Sequence, residues 1–179
     1  MEGIFSTKER IKILRGIIFK KGNISVNNIA TQLRLSKGLI SKYFDILIKK
    51  GVLKKISGKF SVTDSSLVKG IRILINIQNI DLKMFKKYHF IKSVGLYGSC
   101  AKGEDTEDSD IDLWIKIKET DEEGLASLTS ELNKRIKNVK VLFLTDRRIE
   151  KIKKEDTVFY NSLVFGSIII YGSKNGIQI

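Results

Sequence analysis

Two aspartates separated by a single residue, Asp110-Ile111-Asp112, are the side chains in this sequence best placed to do chemistry. They open an apolar run, Ile111-Asp112-Leu113-Trp114-Ile115, that reads as a strand. On a strand, positions i and i+2 face the same side, so this spacing brings both carboxylates to one point. Converging carboxylates with no histidine nearby suit a hard, oxygen-preferring cation: Mg²⁺ first, with Mn²⁺ as a substitute. Zinc does not fit, because the chain has one cysteine, Cys100, and one histidine, His89.

Upstream, Val94 and Leu96 mark a short buried strand that Gly98-Ser99 breaks, and the stretch after the break is helix-like. A turn with no side chain at Gly98 lets phosphate oxygens approach main-chain N–H groups. Ser99 adds a hydroxyl donor, the helix start adds favourable polarity, and Lys102 can bring a positive charge to the same phosphates. Held against a triphosphate, a cation on the two aspartates would neutralise charge that builds up during phosphoryl transfer.

Gly98-Ser99, ten intervening residues (100–109) and then Asp110-Ile111-Asp112-Leu113 resemble the pattern of the nucleotidyltransferase superfamily related to DNA polymerase beta, above all its minimal, MNT-type members. Gly98-Ser99-Cys100-Ala101-Lys102-Gly103 is similar to the frequent Gly-Ser-x-Ala-Arg-Gly of that family, and the likeness runs from about residue 85 to the closing Ile168-Ile169-Ile170-Tyr171-Gly172. It implies a small domain with a mixed β-sheet flanked by helices. It implies catalytic and metal-binding roles for Asp110 and Asp112, and phosphate contacts for Gly98, Ser99 and Lys102. The substrate would be a nucleoside triphosphate, ATP foremost, and the product a nucleoside monophosphate joined to a macromolecular hydroxyl. MNT-type relatives act as antitoxins that adenylylate a toxin, so a cognate toxin is the implied protein acceptor.

The same resemblance implies a third acidic residue on the next strand, which holds metal and activates the attacking hydroxyl. That strand reads Val139-Lys140-Val141-Leu142-Phe143-Leu144, with Lys140 in the expected place and Asp146 beyond its end. A lysine there can pair with the two aspartates and replace part of a metal's charge, but it cannot ligate. This departure keeps a second reading open: a transcription regulator whose degenerate transferase domain senses a nucleotide without turnover. Transfer to a small molecule is a third reading, for which the chain leaves little room.

The elements before this region have a different character. Ser6 and Glu9 have capping-box spacing ahead of Ile11, Ile13, Leu14, Ile17 and Ile18, and Gly22 ends that helix. Ser25 caps a second helix with Ile29, Ala30 and Leu33 on one face. After a turn at Arg34-Leu35, Ser36 caps a third, with Ile40, Phe44 and Leu47 inward and Gly51 closing it. Val52–Ile56 and Phe60–Thr63 then alternate like strands around Ser57-Gly58-Lys59. Residues 6–64 resemble winged helix-turn-helix transcription regulators. The resemblance implies double-stranded DNA as partner, with Ser36, Lys37, Ser41, Lys42 and Tyr43 on the recognition helix and Lys54, Lys55 and Lys59 on the wing.

Charge divides along the same line. The first 80 residues hold 16 Lys/Arg against 4 Asp/Glu, whereas the remainder holds 17 against 16. A basic surface confined to one half is the footprint of a nucleic-acid binder. The expected organisation is α+β, a winged helix-turn-helix over 1–79 followed by a minimal nucleotidyltransferase domain over 80–179. A helix striped by Leu67, Ile71 and Leu74, then an amphipathic stretch with Leu82, Phe85 and Tyr88, place the boundary near 79–81. The first of these could carry a homodimer contact, although a buried role within one chain is the nearer reading. Hydrophobic residues make up 42% of the chain, enough for buried cores, yet no apolar run approaches the roughly 20 residues of a membrane span. The lone cysteine excludes an internal disulfide and fits a reducing cytoplasm, while Trp114 is expected in the core.

Overall fold

Each helix at the start of the chain begins where a hydroxyl can accept a free backbone N–H. In the computed structural model, which describes residues 3–172, α1 (Lys8–Ile17) is capped by Thr7, whose Oγ1 accepts from Arg10 N at 3.2 Å. The cap falls one residue later than the expected Ser6, whose hydroxyl instead accepts from the Arg10 guanidinium at 2.7 Å. Ser25 caps α2 (Val26–Leu33) by accepting from Asn28 N, and Ser36 caps α3 (Lys37–Lys49) by accepting from Leu39 N. Between them the chain reverses at Arg34, which is left-handed at φ 54°. β1 (Leu53–Ile56) and β2 (Lys59–Val62) pair antiparallel, with Ile56 opposite Lys59. The turn is therefore the two residues Ser57 and Gly58, both at positive φ, the backbone twist that matches a tight hairpin.

The first core gathers Ile13, Leu14 and Ile17 of α1 with Ile40, Phe44 and Leu47 of α3, all fully buried. Tyr43 joins them, which corrects its expected place at a DNA surface: it is 0% exposed and its hydroxyl donates to Ile4 O at 2.8 Å. The reason is helical spacing, since position 43 lies three residues after Ile40 and four before Leu47 and so falls within the apolar stripe. The backbone carbonyl of Ile4 satisfies the one polar atom that burial would otherwise orphan.

α4 (Ser66–Gln78) buries Val68, Ile71 and Ile75, whereas Leu67 and Leu74 are 38% and 41% exposed. The stripe is turned by one residue from the expected one, because Leu67-Val68 and Leu74-Ile75 each offer two apolar positions and periodicity does not choose between them. The chain divides into two compact units between Ile75 and Asn76, inside α4 and ahead of the expected 79–81, with Asp105–Asp108 grouped with the first unit.

The second unit is built on a four-stranded sheet in the order β5-β4-β3-β6: β3 (Ile91–Tyr97), β4 (Ile111–Ile117), β5 (Val139–Leu144) and β6 (Ile168–Gly172). β3 runs antiparallel to both β4 and β6, while β4 and β5 are parallel and joined by α6 (Glu122–Arg135). A parallel pair needs such a crossover, so the sheet is mixed by construction. One face packs Val94, Leu96, Leu113 and Ile115 against Leu128 and Leu132 of α6 and Phe85 of a 3₁₀ turn at Leu82–Lys87. The other packs Trp114 and Leu144 against Ile149 of α7 (Asp146–Glu155) and Leu163 of α8 (Thr157–Gly166). Among the described residues, no helix is long and apolar enough to cross a membrane.

Trp114 lies in the core as expected, 1% exposed, directly across the β3–β4 pair from Gly95. Its indole occupies the space that a side chain at 95 would need: a Cβ there would fall 2.1 Å from Trp114 Cε2. Gly95→Ala should therefore lower stability by about 3 kcal/mol, the upper end for an overpacked core. Trp114 is the only tryptophan, so its fluorescence during a thermal melt reads the effect directly. A melting temperature equal to wild type would show that the indole does not pack on this strand.

Candidate active site

The site forms where β3 ends and β4 begins. After Tyr97 the backbone turns at Gly98, at φ +68°, into the short helix α5 (Gly98–Lys102). Left-handed φ alone favours glycine there, and space demands it as well. A Cβ on residue 98 would sit 2.6 Å from Asp112 Oδ2, so the carboxylate of Asp112 lies directly against this bend. The antiparallel register sets Tyr97 opposite Asp112, and the parallel register sets Lys140 of β5 beside it. Asp110 stands just ahead of the strand. Its backbone carbonyl accepts from Cys100 Sγ at 3.3 Å, which ties α5 to the start of β4.

Lys140 closes the cluster. Its Nζ is 2.6 Å from Asp110 Oδ2, and its charge also acts on Asp112 and Tyr97. Burial raises the pKa of Asp112 above the ordinary aspartate value; Lys140 opposes that rise and the neighbouring Asp110 adds to it. The Asp110 carboxylate holds the Lys140 ammonium above the usual lysine range. Burial, then the charge of Asp112, also raises Tyr97, so its phenol stays protonated at neutral pH as a hydrogen-bond donor.

The structure thus brings together Gly98, Asp110, Asp112 and Lys140, with Ser99 in the first turn of α5. Lys102 is exposed at the end of α5, three residues after Ser99 and hence on the same side of that helix. Asp146 lies elsewhere. It begins α7 and pairs with Lys92 at 3.2 Å and Lys116 at 3.1 Å, at the far end of β3 and β4. Asp112 and Lys116 are four residue steps apart along β4, a span of about 13 Å. Tyr97 was not anticipated from the sequence, since only the strand register reveals that it faces Asp112. In the first unit Ser36, Lys37, Ser41, Lys42, Lys54, Lys55 and Lys59 are all exposed, in contrast to Tyr43.

Among the described residues, no group of three or more His, Cys, Asp or Glu side chains converges. The donor set at the bend, two carboxylates a residue apart, fits Mg²⁺, which commonly takes one or two protein carboxylates and completes its shell with phosphate and water oxygens.

The second unit thus presents a carboxylate pair at the head of a strand, set against a glycine bend that opens a helix. Residues 78–175 match the family model described as "Polymerase beta, Nucleotidyltransferase", and the chain belongs to that family. The "Putative protein adenylyltransferase MJ1379" of Methanocaldococcus jannaschii is 32% identical over 84 residues, 43% of this chain and 84% of that one. Two solved structures are fainter likenesses, and the family assignment stands on the sequence matches. A "putative nucleotidyltransferase" from Sulfolobus solfataricus has a TM-score of 0.40 at 18% identity, covering 65% of this chain and 96% of its own. A toxin-antitoxin structure with AMP-PNP has a TM-score of 0.36 at 18% identity, covering 62% and 77%.

The raised pKa of Asp112 has a direct consequence for pH dependence. A cation needs the carboxylate form, which is lost as pH falls through a value above the ordinary aspartate range. Were Asp112 to hold Mg²⁺ for a bound nucleotide, binding of a fluorescent ATP analogue with Mg²⁺ should weaken on the acid side earlier than for an unperturbed carboxylate. Lys140→Met removes a charge that holds this pKa down, so the acid limb should move to still higher pH. A limb that stays in place or moves to lower pH in the variant would refute this coupling.

Proposed function

We propose that the second unit transfers a nucleoside monophosphate, from ATP foremost, onto a hydroxyl of a protein acceptor. The observation that carries this reading is the carboxylate of Asp112 set against the bare backbone of Gly98, with Asp110 beside it. In this reading Asp110 and Asp112 hold Mg²⁺, which when bound neutralises charge gathering on the transferring phosphoryl group. Gly98 leaves room for phosphate oxygens at the main chain, while Ser99 and Lys102 donate to them. Tyr97 adds a protonated phenol at the rim. The name of the Methanocaldococcus relative supports adenylyl as the group moved and protein as the acceptor. A cognate toxin is the narrower form of the same proposal.

The test is transfer of label. The full chain, incubated with Mg²⁺ and ATP labelled at the α-phosphate in a lysate of its own source, should mark a discrete protein and release pyrophosphate. Asp110→Asn with Asp112→Asn should reduce the label by at least about 100-fold, the scale on which a core electrostatic contribution to catalysis is lost. Unlabelled protein in every fraction would sink the transferase reading.

One observation favours a second reading, a nucleotide sensor without turnover: Lys140 pairs directly with Asp110 and so opposes cation binding at that carboxylate. Nucleotide binding without pyrophosphate release would select it.

For the first unit the proposal is a winged helix-turn-helix that binds double-stranded DNA, in keeping with autoregulation of the gene. It is supported by the three helices and hairpin, by the exposed Lys37 and Lys42 on α3, and by 16 basic against 4 acidic residues in the first 80. Lys54, Lys55 and Lys59 would neutralise backbone phosphates. Replacing all three by alanine should reduce the log–log salt slope of DNA binding by about 3, close to one phosphate contact each. An unchanged slope would take the hairpin out of the interface.

A further inference from the structure

The carboxylates at the bend set how many cations it can take. Asp110 and Asp112 supply two negative charges, and no third carboxylate joins them among the described residues. One of the two is already engaged, with Lys140 Nζ at 2.6 Å from Asp110 Oδ2, and Lys140 lies beside Asp112 in the β4–β5 register. Two divalent ions about 4 Å apart, the arrangement of two-metal sites, would have to share two carboxylates, one of which an ammonium already holds. One ion needs only the carboxylates left after the Lys140 pair, with phosphate and water oxygens completing its shell.

We propose that this site takes a single divalent cation per bound nucleotide, and that the Lys140 ammonium stands where a second cation would otherwise be needed. The proposal rests on the reading of Asp110 and Asp112 as the metal-binding carboxylates. Geometry favours it in two ways. The strand register fixes where the Lys140 stem starts, so the ammonium reaches the carboxylates as a built feature of the sheet. An ammonium also has three donors and no acceptor, so it can bridge Asp110 and a phosphate oxygen without itself ligating metal. The Lys140 side chain is 66% exposed, so replacing it leaves the packed core intact.

Equilibrium dialysis of the full chain with Mn²⁺ and AMP-PNP, counting Mn²⁺ per bound nucleotide, tests this without reference to activity. Wild type should hold one Mn²⁺ per nucleotide. Two per nucleotide would overturn the proposal and leave the nucleotidyltransferase reading standing. No Mn²⁺ retained with the nucleotide would overturn the underlying site itself. Lys140→Asp, which exchanges the cation for a carboxylate, should raise the count from one to two; a count that stays at one would show that Lys140 is not what limits it. The wild-type count decides the matter even if the variant does not fold.

Discussion

A carboxylate occupies the place where residue 98 would otherwise carry a side chain. Everything chemical in the second unit follows from that contact between Asp112 and Gly98. It requires β3 to end one residue before a left-handed turn, and β4 to run back beside it in the register that sets Tyr97 opposite Asp112. It also requires α5 to leave the sheet immediately at a residue without a side chain, so that no Cβ competes with the carboxylate for that space. Slip the strands by one residue and Asp112 would point into the apolar face now filled by Leu113 and Ile115. The register is held against such slippage by packing on both faces, including Trp114 seated over Gly95, where no other residue type fits.

That placement creates an electrostatic problem that Lys140 answers. Asp112 is sheltered from water beside a second carboxylate, and both effects disfavour its charged form. A lysine on the neighbouring strand lowers the cost and orders Asp110 at the same time. Because Lys140 is exposed, the pair contributes little to folding stability by the usual measure of surface ion pairs. Its consequence lies in the charge that the bend presents to a ligand.

Much of the site was legible in the sequence because it is local. Gly98-Ser99 and Asp110-Ile111-Asp112 lie within fifteen residues of one another, and strand alternation predicts that the two acids share a face. Lys140 could be read as a neighbour of the pair only through the family pattern, and the register gives that reading a physical basis. Tyr97 was not legible, since facing Asp112 is a property of strand pairing and leaves no mark in composition. The first unit shows the same limit. Helix caps at Ser25 and Ser36 follow from local hydrogen bonding, yet the cap of α1 moved from Ser6 to Thr7, where two hydroxyls compete for one helix start. Tyr43 and the stripe of α4 were misplaced because helical periodicity fixes an apolar face only to within one position when neighbouring residues are both apolar. Burial of Tyr43 further depended on a carbonyl, that of Ile4, nearly forty residues away in sequence.

The two ends of the sheet are built from opposite solutions to the same chemistry. At the far end Asp146 meets Lys92 and Lys116, two cations for one carboxylate, and its pKa is lowered chiefly by hydrogen bonds from those lysines. An acid so satisfied has no reason to recruit a cation from solution, and it anchors α7 to β3 and β4 instead. At the near end two carboxylates share one lysine, and one of the pair is pushed toward protonation rather than away from it. That excess of negative charge, set beside a backbone turn without side chains, separates a place that can take a cation from one that merely holds two elements together. A carboxylate just past the end of β5 therefore cannot stand in for the one absent from its second position, since strand direction carries it to the end where lysines already outnumber acids.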